Sequence, residues 1–414
     1  MRPGRSVVYD ALAAGPYGAM ITPGGRAARP VARSDVHQRE ERHMFRRTST
    51  LARGALLAAA VVITPITALG AAAAPQEGTA ADRAPATAGG SRTVQDPKES
   101  GDPNTSERVC DVVFAIHGGA GTLKREDMTP ELEREYRAKL TEAVRTGQRA
   151  LADGESGVAA VEAAINVLED SPLFNAGKGA VFTTDAENEL DAAIMDGATL
   201  DTGAVTGVTH IRNPISLARE MMENSRHVLM SGEGAERFAQ HRGMDLVTQD
   251  YFFTERRWES LMAAKGGESD FDFGETGTVG AVGIDGNGDL AAGTSTGGLT
   301  NKPVGRIGDS PIVGAGTYAK NGNIAASATG TGELFIREAV THTISAQVEY
   351  LGRSVSKAAG AAIDRTEVLG GDDTGGVIAL DSRKNLAFTF NTSGMYRGYA
   401  TADGEIVVKI FADE

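Results

Sequence analysis

Thr278 is the residue whose surroundings most suggest covalent chemistry. It follows Gly277 and opens the apolar run Thr-Val-Gly-Ala-Val. A threonine hydroxyl is a weak nucleophile without a base, and a threonine at a chain terminus has its own amine, with a pKa near about 7.7–8, as that base. A mid-chain threonine can free this amine by attacking the preceding carbonyl, and a preceding glycine tolerates the backbone strain of that attack. Without further context, the pair is also what an ordinary strand start looks like.

Three glycine-rich segments after Thr278 carry groups that could serve such a nucleophile. Residues 294–298 (TSTGG) offer three hydroxyls and a turn. Arg306 and Asp309 lie three residues apart in GRIGDSP, where the arginine can fork onto a carboxylate and the aspartate can receive an ammonium. They would hold the two charged ends of an α-amino acid, and the alternative is an ion pair between the two side chains. Residues 329–333 (TGTGE) suit either an oxyanion hole or a helix cap.

Periodicity and capping residues predict the elements that position these segments. Helices are predicted at 129–152, 156–169, 214–222, 232–240 and 332–347. Strands are predicted at 109–116, 278–284, 290–295, 324–328, 377–381 and 386–391. The order is rich in helices first and in neighbouring strands later. This order favours an α+β fold, in which antiparallel sheets are covered by helices, over a doubly wound parallel sheet.

Charge and cysteine content exclude two classes of function. The chain carries a net charge of −14, and residues 1–75 contribute +6, which leaves −20 for the rest. An acidic body argues against nucleic acid as a partner. The single cysteine, Cys110, excludes a disulfide within the chain and a cysteine-rich metal site. Its place in an apolar run predicts a buried, structural cysteine.

The front of the chain has the composition of an export signal. Residues 44–74 have a basic head with an arginine pair, an apolar stretch too short and too interrupted to span a membrane, and a small-residue end. The sequence therefore predicts a secreted protein, and the arginine pair indicates the twin-arginine route. Residues 1–43 precede this signal, so we expect a non-native extension and translation from Met44. Residues 75–107 have the composition of a disordered linker.

An acidic, glycine-rich segment at 265–277 separates the two halves of the body. Such a segment is expected to be exposed and mobile, and a chain can be cut there without losing its core. A cut between Gly277 and Thr278 would give two subunits, 108–277 and 278–414.

The motifs on both sides of that cut resemble those of the plant-type asparaginases (isoaspartyl peptidases), in the same order and spacing. They are HGGAGT at 117–122, PLFNAGKGAVFT at 172–183, ELDAAIMDG at 189–197, GAVTGVTHIRNPI at 203–215, TVGAV at 278–282, TSTGGLTNK at 294–302, GRIGDSP at 305–311, TGTGE at 329–333 and NTSGMYRG at 391–398. The likeness runs from about residue 110 to 408. It implies a threonine-type N-terminal-nucleophile hydrolase with an αββα sandwich, two antiparallel sheets between helical layers, and a homodimer of cleaved protomers.

The resemblance assigns the reacting groups residue by residue. Thr278 is implied as the nucleophile, with its freed amine as the base, and Thr296 as the residue that orients and polarises it. Thr329 and the Gly330 N–H are implied as the oxyanion hole. His117 is interpreted as structural, because the amine already supplies a base.

The resemblance also assigns the groups that bind. Arg306 is implied to bind the substrate α-carboxylate, Asp309 the α-ammonium together with the Gly332 carbonyl, and Asn175 to line the site from the first subunit. No cofactor is implied for catalysis. A structural sodium ion is implied on the main-chain carbonyls of one loop, those of Leu168, Glu169, Ser171, Phe174, Ala176 and Lys178. An aliphatic residue is common in the family at position 178, so the lysine ammonium would weaken that site.

The implied activity is release of L-aspartate from L-asparagine and from β-aspartyl peptides, a small-molecule or dipeptide substrate. Two alternatives stay open. Glycosylasparaginases have a sequence similar to TSTNG where this chain has TSTGG at 294–298. This difference disfavours glycosylasparaginase activity. An inactive secreted binding protein with the same fold is the alternative from another class.

Overall fold

A computed structural model describes residues 105–121, 123–266 and 277–414. The predicted extension at 1–43, the predicted signal at 44–74, most of the predicted linker and residues 267–276 of the acidic segment lie outside the described residues. Within the described ranges, no helix is both long enough and apolar enough to cross a membrane.

The described chain contains thirteen strands and eight α-helices. The strands are β1 (Thr105–Val109), β2 (Val112–Gly121), β3 (Leu190–Asp196), β4 (Thr202–Val208), β5 (Leu229–Ser231), β6 (Val279–Ile284), β7 (Leu290–Thr296), β8 (Thr317–Ala319), β9 (Ile324–Gly330), β10 (Gly375–Asp381), β11 (Leu386–Phe390), β12 (Gly394–Thr401) and β13 (Ile406–Phe411). The helices are α1 (Pro130–Ala152), α2 (Gly157–Glu169), α3 (Pro214–Asn224), α4 (Gly232–His241), α5 (Glu255–Lys265), α6 (Gly332–Glu338), α7 (Val340–Leu351) and α8 (Val355–Gly370).

Two sheets pack between two helical layers, as the resemblance implied. The larger sheet has the order β13-β12-β2-β6-β7-β3-β4-β5, and the smaller has the order β1-β11-β10-β9-β8. One apolar cluster joins the larger sheet to α1 to α4, a second fills the space between the sheets, and a third joins the smaller sheet to α6 to α8. The strand pairs are antiparallel except for β4 with β5, so the larger sheet has one parallel edge.

Local capping explains where the first helices begin. The Thr129 hydroxyl accepts a hydrogen bond from the Leu132 N–H at 3.2 Å, and the Ser156 hydroxyl does the same for the Ala159 N–H at 3.2 Å. Each bond satisfies a backbone donor that the first helical turn leaves free. The predicted helices at 129–152 and 156–169 are confirmed, and those predicted at 214–222 and 232–240 differ by a residue or two at their ends.

The prediction of one buried strand at 109–116 was wrong, and so was the prediction of a buried Cys110. The chain leaves β1 in the smaller sheet, turns with Asp111 at a φ of 61°, and enters β2 in the larger sheet. Cys110 lies in that turn and is exposed. In addition, β1 begins at Thr105, so the last three residues of the linker predicted at 75–107 belong to the fold.

Two further predictions differ from the structure. The helix predicted at 332–347 is broken at Ala339, whose left-handed φ of 46° separates α6 from α7. The first half also contains β3 and β4, which apolar periodicity did not indicate because both strands are buried on both faces. The helices α5 and α8 were not predicted.

Candidate functional site

Thr278 lies immediately before β6, inside the larger sheet. Its hydroxyl donates to the Thr296 hydroxyl oxygen at 3.1 Å, and the same Thr296 oxygen accepts the Gly298 N–H at 3.0 Å. The pairing of β6 with β7 places Val279 opposite Ser295, which brings the two threonines side by side at the strand ends. Both are buried, Thr278 at 8% exposure and Thr296 at 3%. The structure therefore brings the predicted nucleophile to the predicted orienting residue.

A buried histidine holds the backbone of Thr278. His117 Nδ1 lies 3.1 Å from the Thr278 carbonyl oxygen, and its Nε2 lies 2.8 Å from the Ser327 hydroxyl. Complete burial lowers the pKa of His117 to about 3, although the hydrogen bond to Thr278 opposes the shift. The ring is therefore neutral, and because a carbonyl only accepts, Nδ1 carries the proton. His117 cannot act as a base towards the Thr278 hydroxyl from this position, which agrees with its structural interpretation.

The histidine is the end of a network of buried hydroxyls. Because Nε2 accepts, Ser327 donates to it, and the Ser327 oxygen also lies 2.7 Å from the Thr294 hydroxyl. Thr317 lies 2.6 Å from the Thr294 hydroxyl, and the carbonyls of Gly316 and Ser310 are further acceptors for Thr294 and Thr317. The histidine and the three hydroxyl side chains are fully buried. The network surrounds His117 with polar partners on its Nε2 side, while Nδ1 faces the Thr278 carbonyl.

Asn175 borders the residue that precedes the nucleophile. A Cβ built on Gly277 would lie 3.5 Å from the Asn175 Cβ. The Asn175 side chain is bonded at both ends, because its Nδ2 donates to the Gly298 carbonyl at 2.6 Å and its Oδ1 accepts the Val181 N–H at 3.0 Å. Asn175 thus lies where the resemblance implied, and it also fixes the turn that follows Thr296.

The predicted oxyanion residues lie at the end of β9. Thr329 is fully buried, and its hydroxyl oxygen accepts the Ala120 N–H at 3.3 Å. Ala120 belongs to the same strand as His117, which is bonded to Thr278, so one short segment contacts both threonines. Gly330 has a φ of +147°, and a Cβ there would lie 2.2 Å from the Thr374 carbonyl oxygen. A side chain at position 330 is excluded.

The two predicted substrate-binding charges lie close to the same glycine. A Cβ built on Gly332 would lie 3.0 Å from Arg306 Nη2 and 3.0 Å from Asp309 Oδ1, so these two atoms are no more than 6.0 Å apart. Glycine keeps the space between them open. The alternative, an ion pair between Arg306 and Asp309, is not formed in the described residues. Arg306 pairs instead with Glu333, and the sequence reasoning missed that contact.

Asp309 is buried with one oxygen unpartnered. It is 3% exposed, and its Oδ2 has no hydrogen-bond partner within the described ranges. Burial raises the pKa of Asp309 to about 7, although its own backbone hydrogen bond and the charge of Arg306 oppose the shift. A buried carboxylate oxygen without a partner is costly. An ammonium placed there would satisfy it, which is the role that the resemblance implied.

The loop predicted to hold sodium is tightly wound around two glycines. A Cβ on Gly177 would lie 2.4 Å from the Glu169 carbonyl oxygen, and one on Gly179 would lie 2.2 Å from the Phe174 carbonyl oxygen. Glycines at both positions therefore allow these two close approaches, and the sodium site stays a prediction. The Lys178 ammonium lies 5.8 Å from the centre of the Tyr251 ring. In the part of the chain that the structure describes, no cluster of three or more His, Cys, Asp or Glu side chains could hold a metal.

Known proteins are similar in sequence to this chain over most of its length. The family profile described as Asparaginase matches residues 110–410. The isoaspartyl peptidase of Escherichia coli K12 is 48% identical over 312 residues, which are 73% of this chain and 97% of that protein. The plant-type L-asparaginase of Pyrococcus furiosus is 45% identical over 299 residues, 69% of this chain and 94% of that protein. The probable isoaspartyl peptidase/L-asparaginase 2 of Arabidopsis thaliana is 39% identical over 325 residues, 72% and 98% of the two chains.

A four-layer αββα sandwich with a buried threonine at the start of an inner strand is the architecture of the N-terminal-nucleophile hydrolases. Within that class, the chain belongs to the asparaginase family.

His117→Ala tests whether the histidine acts through the Thr278 carbonyl. We expect slower self-cleavage and a fall in kcat of about tenfold, because one buried hydrogen bond of about 1–1.5 kcal/mol is lost. KM should change little, since His117 has no contact with the substrate-binding residues. His117→Asn should recover part of kcat, because its amide N–H can reach the same carbonyl. Wild-type cleavage and wild-type kcat in the alanine variant would contradict this role.

Proposed function

We propose that this protein is a self-cleaving amidohydrolase that releases L-aspartate from L-asparagine and from β-aspartyl (isoaspartyl) peptides, with Thr278 as nucleophile. The observation that carries the proposal is the 3.1 Å hydrogen bond between the Thr278 and Thr296 hydroxyls, directly after Gly277. Its support is the pair of charges around Gly332 and the names of the relatives, isoaspartyl peptidase and plant-type L-asparaginase.

Self-cleavage prepares the nucleophile. The Thr278 hydroxyl oxygen attacks the Gly277 carbonyl carbon, the peptide C–N bond breaks, and the hydroxyl proton passes to the Thr278 nitrogen. The ester formed is opened by water, which leaves a carboxylate on Gly277 and a free hydroxyl and amine on Thr278. Thr296 orients the attacking oxygen. Because Thr278 is 8% exposed beside Gly277, the cut end must move away before a substrate can bind there.

Turnover uses the same oxygen on a different carbonyl. The Thr278 amine takes the hydroxyl proton, and the oxygen attacks the side-chain carbonyl of asparagine or of the β-aspartyl link. The Thr329 hydroxyl and the Gly330 N–H stabilise the oxyanion. Ammonia or the peptide amine leaves with the proton, and water then releases L-aspartate from the ester.

Both substrate types present the same head group. Arg306 binds the α-carboxylate, and Asp309 with the Gly332 carbonyl binds the α-ammonium, since a fork suits a carboxylate and an unpartnered carboxylate suits an ammonium. The two substrates differ in the leaving amine, which these groups do not contact. One site can therefore serve both.

The first test is the processing itself. Mature protein should run as two fragments on a denaturing gel, and terminal sequencing of the smaller should begin Thr-Val-Gly-Ala. Thr278→Ala should stay uncut and inactive, because it lacks the attacking oxygen. An intact chain that hydrolyses asparagine would refute the nucleophile, and an intact chain without activity would favour the binding-protein alternative.

A substrate panel separates the proposed activity from the glycosylasparaginase alternative. Purified processed protein should hydrolyse L-asparagine and β-aspartyl-leucine. It should hydrolyse a glycosyl-asparagine poorly, and preference for that substrate would replace the proposal.

The charges of Arg306 and Asp309 should affect the hydrolysis of substrate and should not affect self-cleavage. Cleavage before Thr278 involves a backbone carbonyl, which has neither an α-carboxylate nor an ammonium. Arg306→Ala and Asp309→Ala should therefore still yield two fragments, yet lose hydrolysis by about 2–5 kcal/mol in kcat/KM. Arg306→Lys should recover only part of the loss, because an ammonium cannot fork onto a carboxylate. Variants that both cleave and turn over substrate normally would remove this assignment.

The same site predicts a pH dependence with a definite sign. The pKa of Asp309 is raised to about 7, so its ammonium-binding form is lost as pH falls through about 7, and KM should rise there. A carboxyl with a raised pKa weakens the fold once it ionises, so Asp309→Asn should unfold at a higher temperature than wild type at pH 8. Thermal unfolding at pH 5 and pH 8 gives the comparison. A variant that is no more stable at pH 8 would contradict the buried, unpartnered carboxylate.

We further propose that the loop carbonyls of Leu168, Glu169, Ser171, Phe174, Ala176 and Lys178 hold a sodium ion. The glycines at 177 and 179 support this proposal, and the lysine side chain at 178 is expected to weaken binding. The unfolding temperature in sodium chloride should be higher than the unfolding temperature in choline chloride at equal ionic strength. Equal unfolding temperatures would contradict the proposal.

The proposed location is outside the cell, because residues 44–74 have the composition of an export signal. Mass spectrometry of culture medium should find a chain that begins near Ala71 or Ala74. Cytoplasmic protein that retains residues 44–70 would refute export.

The proposed assembly is a homodimer of cleaved protomers, and a monomer in sedimentation analysis would refute it.

A further inference from the structure

The Arg306 guanidinium already has a carboxylate partner before any substrate arrives. Arg306 Nε donates to Glu333 Oε1 at 3.0 Å, and Nη2 donates to Glu333 Oε2 at 2.9 Å. The arginine side chain is 14% exposed and the glutamate is 54% exposed. This side-on fork is the strongest geometry for an arginine and a carboxylate. The contact is thus well formed and lies at the outer edge of the site.

The fork uses one edge of the guanidinium and leaves the other. A guanidinium has five N–H groups, and Glu333 takes the one on Nε and one on Nη2. The remaining edge, Nη1 with Nη2, is bordered by glycines. A Cβ would lie 3.3 Å from Nη1 if built on Gly298, 3.0 Å from Nη1 on Gly308, and 3.0 Å from Nη2 on Gly332. The edge that Glu333 does not occupy therefore lies against three positions without side chains, and the Lys302 ammonium lies 3.0 Å from the Gly298 Cβ position on the same side.

We propose that Glu333 is a positioning residue, which holds Arg306 from its Nε edge so that the Nη1–Nη2 edge can accept the substrate α-carboxylate. The inference deepens the proposed function and rests on it. A guanidinium on a flexible side chain loses rotamer freedom when it binds a ligand, and a partner that has already fixed it reduces that cost. Glu333 contributes to substrate affinity in this way without contact with the substrate.

Glu333 also affects the second substrate-binding charge. Partial burial raises the pKa of Glu333, but the hydrogen bond and charge of Arg306 more than offset burial and keep that pKa below its ordinary value. Glu333 is therefore ionised at neutral pH. The charges that face Asp309 are Arg306, which lowers the pKa of Asp309, and Glu333 and Asp191, which raise it. Loss of the Glu333 charge should therefore move the acid limb of the pH profile to lower pH.

The opposite reading is that Glu333 competes with the substrate carboxylate for Arg306. The two readings predict opposite changes in KM. If Glu333 competes, its removal frees the arginine and KM falls. If Glu333 positions the arginine, its removal leaves the guanidinium mobile and KM rises. The side-on fork favours positioning, because it leaves the Nη1–Nη2 edge unbonded to Glu333.

The test compares Glu333→Gln with wild type and with Glu338→Gln, a matched change in the same helix, where Glu338 pairs with Arg365. All three proteins should process into two fragments. Glu333→Gln should raise KM about tenfold for both asparagine and β-aspartyl-leucine, leave kcat within about twofold, and shift the acid limb downwards. Glu338→Gln should match wild type. Unchanged or lowered KM in Glu333→Gln would overturn the inference alone, whereas absence of hydrolysis in wild type would remove the proposed function and the inference with it.

A double-substitution cycle shows whether Glu333 acts through Arg306. In an Arg306→Ala background, measured well above the pKa of Asp309 so that its charge is the same in both proteins, Glu333→Gln should change the residual kcat/KM by less than about twofold, since no guanidinium remains to be positioned. An undiminished effect in that background would mean that Glu333 acts by another route and would overturn the inference.

Discussion

The proposed chemistry of this protein depends on how Thr278 is held while the chain is still uncut. Thr278 is fixed through its hydroxyl by Thr296 and through its carbonyl by His117, while Gly277 lies against Asn175. These contacts come from β2, β7 and the loop that contains Asn175, so the centre of the larger sheet must form before the geometry exists. Attack on the preceding carbonyl needs the oxygen near that carbon in a fixed orientation. In the proposed function, the folded state therefore supplies the catalyst for its own cut.

The charged part of the site follows a related constraint. Asp309 is buried with an oxygen unpartnered, and Arg306 lies near the same glycine, Gly332. Asp309 costs free energy to bury without a partner, and an ammonium would offset that cost, whereas Arg306 is already paired with Glu333. A compound with a lone carboxylate would leave the Asp309 oxygen unpartnered. The proposed selectivity for an α-amino-acid head group thus follows from burial as much as from hydrogen-bond geometry.

Local sequence signals predicted the parts of the fold that local physics determines. The caps at Thr129 and Ser156 located two helices, and the glycine-rich motifs located the site residues, whose individual roles remain predictions. The turn at Cys110 was not predictable in this way, because the change of sheet depends on strand pairing far along the chain. The pairing of Arg306 with Glu333 was missed for the same reason, since its partners lie in different segments and no periodicity links them. Ala339, in a left-handed conformation, interrupts a segment whose sequence predicts a single helix.

The order of strands determines how a cut before Thr278 would affect refolding. The larger sheet interleaves the two halves, because β2 pairs with β6 and β12, and β3 pairs with β7, while β1 pairs with β11 in the other sheet. A cut before Thr278 leaves two polypeptides joined through four strand junctions, with no covalent link between them. Before the cut, refolding is a search within one chain; afterwards it requires two separate chains to meet and interdigitate. The proposed cut would thus be a one-way step for folding, and the lifetime of the cleaved molecule would be governed by its rate of unfolding.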